Sequence, residues 1–204
     1  MSAEFLTLTS IYFLALLSPG QDFFLILRNA LQYGYKTAWW NCIGIALGNA
    51  FYIVLAYVGH GLLVDYPFII PLIEFGGALF LMYLGYMLIN APKPKLEQNS
   101  HDPKPSRYKL LSSGFFSALL NPKNALFYLS ILFTIVSFET SLHIRIFYAL
   151  WMIVLLLVWD MAVALFFGNT KALKLLPWLN PLQKIIGIFL ALFGVKTLWK
   201  LWNL

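Results

Sequence analysis

The chain has 204 residues, of which 61% are hydrophobic and only 11% are charged, and its net charge is +6. A soluble domain carries about 25% charged residues, so this composition excludes an ordinary soluble protein and indicates a surface that faces lipid. The basic residues fall in short segments between apolar runs, which argues against nucleic acid as a partner and for a role in membrane topology.

Six apolar runs are long enough to span a lipid bilayer, which takes roughly 20 mostly apolar residues. The predicted fold is therefore an all-α membrane protein with six transmembrane helices. In chain order the runs are residues 6–27, 42–64, 68–89, 110–135, 144–167 and 181–199. The first run has no basic segment before it and continues past signal-peptide length, so we interpret it as a first transmembrane helix, not as a cleaved signal.

Span one is interrupted at residues 18–22, with the sequence SPGQD. Pro19 removes a backbone donor and Gly20 loosens the backbone. In lipid, the freed backbone groups must find partners inside the protein or in a water-filled cavity. The break therefore predicts a cavity, which Gln21 and Asp22 would line. The alternatives are a plain proline kink, and a carboxylate that only caps a half-helix.

Span two carries Gly44 and Gly48 in a G-x-x-x-G pattern, which lets two helix backbones approach closely. The pattern fits packing within the chain or between two protomers of a homodimer. Asn41 and Asn49 border this stretch, and each either lines a polar path or bonds a neighbouring helix. Cys42 is the single cysteine, so no disulfide within the chain and no cysteine metal site is expected.

A polar segment at residues 91–109, with four prolines and five lysines or arginines, predicts a flexible loop. It divides the chain into a first three-helix repeat at residues 1–90 and a second at residues 110–204. Loops one, three and five hold ten Lys or Arg residues, against three in the other loops and tails. The positive-inside rule then places these loops in the cytoplasm and both termini outside.

Span four is broken at Asn121, Pro122 and Lys123. A lysine near mid-span costs roughly 2.5–3.5 kcal/mol on insertion scales, so Lys123 is expected to face the bundle interior and to pair with Asp22 or with Asp160 of span five. A carboxylate in such a cluster either carries protons or stays ionised beside Lys123 and acts as a substrate or gating switch. The alternative is that Lys123 and its partner carboxylate have a purely structural role.

Two short matches relate the halves. Residues 15–19, ALLSP, match residues 118–122, ALLNP, and residues 80–85, FLMYLG, match residues 189–194, FLALFG. The offsets are 103 and 109 residues. Because each half has three spans, the two repeats would lie in opposite orientations. Inverted repeats with broken helices 1 and 4 are typical of transporters.

Motifs for other chemistry are missing from the sequence. His60, His101 and His143 form no metal-binding pair, and no P-loop, G-x-G-x-x-G or G-x-S-x-G occurs. The sequence thus predicts no metal, no cofactor and no enzyme activity. The competing hypotheses are another kind of small-solute transporter, an intramembrane enzyme, and an accessory membrane subunit without its own substrate.

The motif SPGQDFFLILRNALQYG at residues 18–34, followed by Gly44 and Gly48, resembles the LysE/RhtB family of amino-acid exporters, as does the stretch at residues 114–123 that ends in N-P-K. This chain departs from the family in having Gln21 at a proline position and Ala38 at a common glycine position. The resemblance implies export of amino acids or derivatives, of the lysine, homoserine or threonine type, from a bacterial cytoplasm. It also implies a location in the inner membrane and the proton-motive force as the energy source. Gln21 adds a polar side chain that would meet the substrate.

Overall fold

The computed structural model describes residues 2–62, 68, 70–91, 103–137, 139–168, 174 and 176–202 of the chain. The described part contains helices and no strand, in agreement with the all-α prediction. The helices are α1 (Ser2–Leu17), α2 (Gln21–Tyr33), α3 (Tyr35–Leu62), α4 (Ile70–Ile89), α5 (Arg107–Leu119), α6 (Pro122–Ile135), α7 (Leu142–Phe167) and α8 (Leu176–Trp202).

Four described helices, α3, α4, α7 and α8, are long and apolar enough to cross a membrane. Two further spans arise if each bent helix pair counts as one, which gives up to six. The pair α1 and α2 is bent by 55°, and the pair α5 and α6 by 58°. Both bends lie at the proline motifs, where the sequence predicts broken helices.

The breaks are shorter than the motifs that predict them. Gln21 and Asp22 belong to the first turn of α2, and Lys123 belongs to the first turn of α6. A helix accepts proline in its first turn because the missing N–H would have no partner there. Pro122 therefore begins a helix, and the irregular backbone is confined to residues 18–20 and 120–121.

The connection between α2 and α3 is a single residue, Gly34. Its φ of 85° lies in the region that favours glycine, and its N–H donates to the Ala30 carbonyl at 3.0 Å. Arg28 and Lys36, which the count of basic residues includes in loop one, consequently lie on helices. Most of the loop predicted at 91–109 lies outside the described residues, but α5 already begins at Arg107.

Close backbone contact joins α3 to α5. A Cβ atom at Gly44 would lie 2.8 Å from the Phe115 nitrogen, and one at Gly48 would lie 2.7 Å from the Phe115 oxygen. Real Cβ atoms do not approach backbone atoms so closely, so larger residues would push the helices apart. This G-x-x-x-G stripe is occupied within the chain, and a homodimer would need another face.

The outer faces of the long helices are apolar. Only 28% to 44% of each of the four candidate spans is buried inside the protein. Large side chains such as Val58 on α3, Val158 on α7 and Leu192 on α8 are more than half exposed. A soluble monomer rarely exposes so much contiguous apolar surface, so these faces contact lipid.

Candidate functional site

A polar cavity of about 80 Å³ lies between the two helix breaks. A water molecule needs about 10–15 Å³, so the cavity has room for a few. Its lining brings together seven of the residues singled out from the sequence, namely Gly20, Gln21, Asp22, Asn49, Asn121, Lys123 and Asp160. Two separated proline motifs and a residue of α7 therefore meet at one place.

Two helix N-termini border this cavity. Gly20 is the N-cap of α2 and Asn121 is the N-cap of α6, where the Asn121 Oδ1 accepts a hydrogen bond from the Lys123 backbone N–H at 3.1 Å. A helix N-terminus carries a partial positive charge. Each break thus brings an electropositive helix end to the cavity.

Asp22 connects three helices. Its Oδ1 accepts a hydrogen bond from the Ser117 hydroxyl of α5 at 2.6 Å, and its Oδ2 accepts one from the Asn124 amide of α6 at 3.0 Å. Gln21 donates to the same Ser117 oxygen at 3.4 Å. The start of α2 is therefore tied to the second half of the chain by polar contacts.

Lys123 lines the cavity without an ion pair. A Cβ atom built on Gly20 would lie 3.5 Å from its Nζ, which places the ammonium group beside the first break. Within the described residues, Nζ makes no hydrogen bond and no salt bridge. The predicted pairing of Lys123 with Asp22 or Asp160 is therefore not formed among the described residues, and each Asp22 oxygen accepts a hydrogen bond from a neutral donor on α5 or α6.

Asp160 and Ser18 have buried oxygen atoms without partners. Each residue is 6% exposed, and each lines the cavity. In the described part of the chain, the Asp160 Oδ2 and the Ser18 Oγ find no hydrogen-bond partner. Buried polar atoms are nearly always bonded, so this pair of acceptors is an unusual feature of the site.

A second contact between half-helices joins α1 to α6. The hydroxyl groups of Tyr12 on α1 and Tyr128 on α6 are 3.0 Å apart, and both rings line the cavity. The residues are 1% and 2% exposed. The tyrosine contact joins α1 to α6, whereas Asp22 on α2 is bonded by Ser117 of α5 and by Asn124 of α6.

Asn41 joins α2, α3 and α5. It accepts a hydrogen bond from the Asn29 amide at 3.0 Å and donates to the Leu110 carbonyl at 2.7 Å and to the Ser113 hydroxyl at 2.8 Å. Asn49 lines the cavity, and its amide bonds the Ile45 carbonyl of its own helix. Of the two alternatives left open from the sequence, Asn41 bonds neighbouring helices, whereas Asn49 lines the cavity.

Sequence reasoning missed several residues of this site. Gln183 of α8 is 5% exposed and donates from Nε2 to the Pro19 carbonyl at 3.1 Å. An uncharged amide side chain within a predicted span is a signal that could have identified it. The tyrosine pair had no such signal, because the sequence contains 11 tyrosines and many suit a membrane interface.

Comparison with known proteins places the chain among membrane translocators. A family model described as LysE type translocator matches residues 13–201. The uncharacterized membrane protein YrhP of Bacillus subtilis strain 168 is 28% identical over 197 residues, covering 88% of this chain and 90% of that protein.

Two further relatives carry functional names. The threonine efflux protein of Escherichia coli strain K12 is 29% identical over 131 residues, covering 62% of this chain and 64% of that protein. The threonine efflux protein of Salmonella typhimurium is 28% identical over 138 residues, covering 64% and 66%. The matches thus span slightly less than two thirds of each efflux protein. No solved structure matches the chain.

Proposed function

Because the chain belongs to the LysE type translocator family, we propose that it is a secondary transporter that exports amino acids or their derivatives across a bacterial cytoplasmic membrane. The observation that carries this proposal is the cavity between the two helix breaks, which holds charged groups of both signs. The threonine efflux relatives support amino acids as the substrate class. Transport, not catalysis, is the activity of this family.

The polarity of the cavity suits a small zwitterion. Charged side chains inside a membrane are costly and usually serve a transport path. Here the cavity offers Asp22, Asp160 and Lys123 together with two helix N-termini. An amino acid presents a carboxylate and an ammonium group, which match such a mixture of charges.

Contacts between α4 and α8 support an inverted repeat. A Cβ atom at Gly85 would lie 2.5 Å from the Gly187 oxygen, and one at Gly194 would lie 2.6 Å from the Ala78 oxygen. The two helices therefore run antiparallel. The repeat offset of 109 residues relates Gly85 to Gly194 and Ala78 to Gly187. Exchanging the halves by this offset therefore converts the first contact into the second. A two-fold axis in the membrane plane would give this relation.

Two contacts between half-helices support an alternating-access mechanism. With both termini outside, α1 and α6 lie in the outer half of the membrane, and α2 and α5 lie in the inner half. The hydrogen bond between Tyr12 and Tyr128 then closes the cavity outward, and the contact of Asp22 with Ser117 closes it inward. Export requires that the two contacts open in turn.

The proton-motive force is the proposed energy source. Intramembrane carboxylates carry protons in many transporters. Asp160 fits this role because it is buried and one of its oxygens has no partner among the described residues. Protonation at Asp160 from outside, followed by release to the cytoplasm, would couple proton entry to export in the manner of an antiporter.

Release of amino acids from dipeptide-fed cells tests the proposed function. Cells that express the chain are expected to release at least one amino acid several-fold faster than cells without it. Asp22→Asn should abolish this release, because an amide cannot accept both hydrogen bonds that tie α2 to the second half. Glu139→Gln, which changes an exposed carboxylate, is the matched control. Normal release by Asp22→Asn at equal membrane abundance would exclude Asp22 from the mechanism, and no release by wild type would favour an accessory subunit.

A further inference from the structure

Resting on the proposed function, we propose that the cavity holds an amino acid in one orientation. The ammonium group binds at an ammonium pole formed by Ser18 Oγ and Asp160 Oδ2, and the carboxylate binds at a carboxylate pole formed by Lys123 Nζ. We assign the two poles to polar atoms that lack a hydrogen-bond partner within the described residues, and we leave out atoms that are already bonded.

The ammonium pole consists of two oxygen atoms from different elements. Ser18 follows the last residue of α1, and Asp160 lies within α7. Both line the cavity, both are 6% exposed, and the oxygen atoms named here find no partner in the described part of the chain. An unbonded buried acceptor is destabilising because it has lost its hydrogen bonds to water without replacement. A primary ammonium group carries three N–H donors and satisfies both acceptors at once.

The backbone adds to the negative character of this pole. The C-terminal end of a helix carries a partial negative charge, and α1 ends at Leu17, directly before Ser18. The Gln183 amide holds the neighbouring Pro19 carbonyl at 3.1 Å. A proline carbonyl can only accept a hydrogen bond, so Gln183 fixes the backbone beside Ser18.

The carboxylate pole is Lys123 at the start of α6. Its ammonium group reaches the first break without a bond to any described residue. The N-terminus of α6 contributes partial positive charge at the same place. Each Asp22 oxygen already accepts a hydrogen bond, from Ser117 or from Asn124, whereas Asp160 Oδ2 accepts none from a described residue, so we assign the ammonium pole to Asp160.

This orientation makes protons and substrate compete for one group. Asp160 attracts an ammonium group only when it is ionised. A proton that binds to the Asp160 carboxylate from outside converts it to the neutral acid, and the ammonium group leaves with its own charge and protons. Loss of that proton to the cytoplasm restores the ionised form for the next substrate. The exchange of a proton for a substrate molecule at Asp160 therefore needs no second ion site.

Binding of matched analogues to the purified full-length protein in nanodiscs tests the two poles. Each set contains an amino acid, its 2-hydroxy acid and its decarboxylated amine: L-threonine with 2,3-dihydroxybutanoate and 1-amino-2-propanol, L-leucine with 2-hydroxyisocaproate and 3-methylbutylamine, and L-alanine with L-lactate and ethylamine. Trp159 lines the cavity, so tryptophan fluorescence reports binding. Wild type should bind at least one amino acid about tenfold or more tightly than both of its analogues, as expected for hydrogen bonds to charged groups.

The variants should separate the two discriminations. Asp160→Asn should lose the preference for the amino acid over the hydroxy acid and keep the preference over the amine. Lys123→Met should do the opposite. Ser18→Ala removes only a hydroxyl, so it keeps the test valid if a charge variant fails to fold, and it should weaken the first preference about tenfold. Ser130→Ala is the matched control, since that buried hydroxyl bonds the Leu126 carbonyl at 2.7 Å and lies outside the cavity lining.

Three outcomes would overturn the orientation. If Asp160→Asn and Lys123→Met each lose both preferences, or if their effects are exchanged, the poles are wrong while amino-acid binding by wild type leaves the proposed function standing. If wild type binds the amino acid in a sodium buffer but not in a choline buffer, and Asp160→Asn binds it equally in both, Ser18 and Asp160 form a sodium site instead. If wild type binds none of the three amino acids, the orientation and the proposed function fail together.

Discussion

Replacing Tyr128 with phenylalanine removes one hydroxyl from the contact that joins α1 to α6. In the structure, the hydroxyl groups of Tyr12 and Tyr128 lie 3.0 Å apart, and both side chains are almost completely buried. A buried hydrogen bond contributes about 0.5–1.5 kcal/mol net, so its loss should shift the ratio of open to closed contact about two- to tenfold toward the open form. The variant should therefore expose the cavity more often to the outside.

Thiol labelling from outside the cell measures this opening. Ala15 lines the cavity, and the native Cys42 is buried, so Ala15→Cys supplies the reactive thiol. A charged, membrane-impermeant reagent should label Ala15→Cys about two- to tenfold faster when Tyr128→Phe is added. Tyr83→Phe removes a hydroxyl from an exposed residue of α4 and is the control. An unchanged labelling rate in Tyr128→Phe would refute the assignment of the tyrosine pair as the outer contact.

Two further predictions concern the stability of the helix bundle, measured as thermal unfolding in detergent. Gly48→Ala should lower the free energy of unfolding by about 1–3 kcal/mol, because the new Cβ meets the backbone of α5, while Gly59→Ala, with nothing within 4 Å of the new atom, should not destabilise the protein. Equal melting of the two variants would contradict the close contact of α3 with α5. Asn41→Leu should lower the free energy of unfolding by about 2 kcal/mol, because three hydrogen bonds between helices are lost. Asn90→Leu, at an exposed helix end, should lower it much less. Unchanged stability of Asn41→Leu would show that these bonds do not hold the helices together.

The positions of the breaks and of the charged residues could be predicted because their physical cost is large. Pro19 and Pro122 cannot continue a regular helix, and an ionisable side chain within a span must avoid lipid. These two rules made a cluster of Asp22, Lys123 and Asp160 possible, and all three residues line one cavity. They act locally along the chain, so a single sequence reveals them.

The partners of those residues could not be predicted, because they depend on which helix faces meet. Asp22 is bonded by Ser117 and Asn124, and the sequence does not show which polar side chains of the other spans face Asp22. The expected ion pair with Lys123 is not formed among the described residues. The single-residue connection at Gly34 was also missed, since a glycine between two polar stretches is equally typical of a longer loop.

Efflux from proteoliposomes that contain only the purified chain tests whether this chain is itself an amino-acid exporter. The vesicles are loaded with a mixture of the standard amino acids, and the outside is made acidic. We expect vesicles that contain the protein to release at least one amino acid several-fold faster than protein-free vesicles. A protonophore should reduce this release to background. Release equal to that of protein-free vesicles for every amino acid, with the protein folded and inserted, would contradict the claim that this chain is itself an amino-acid exporter.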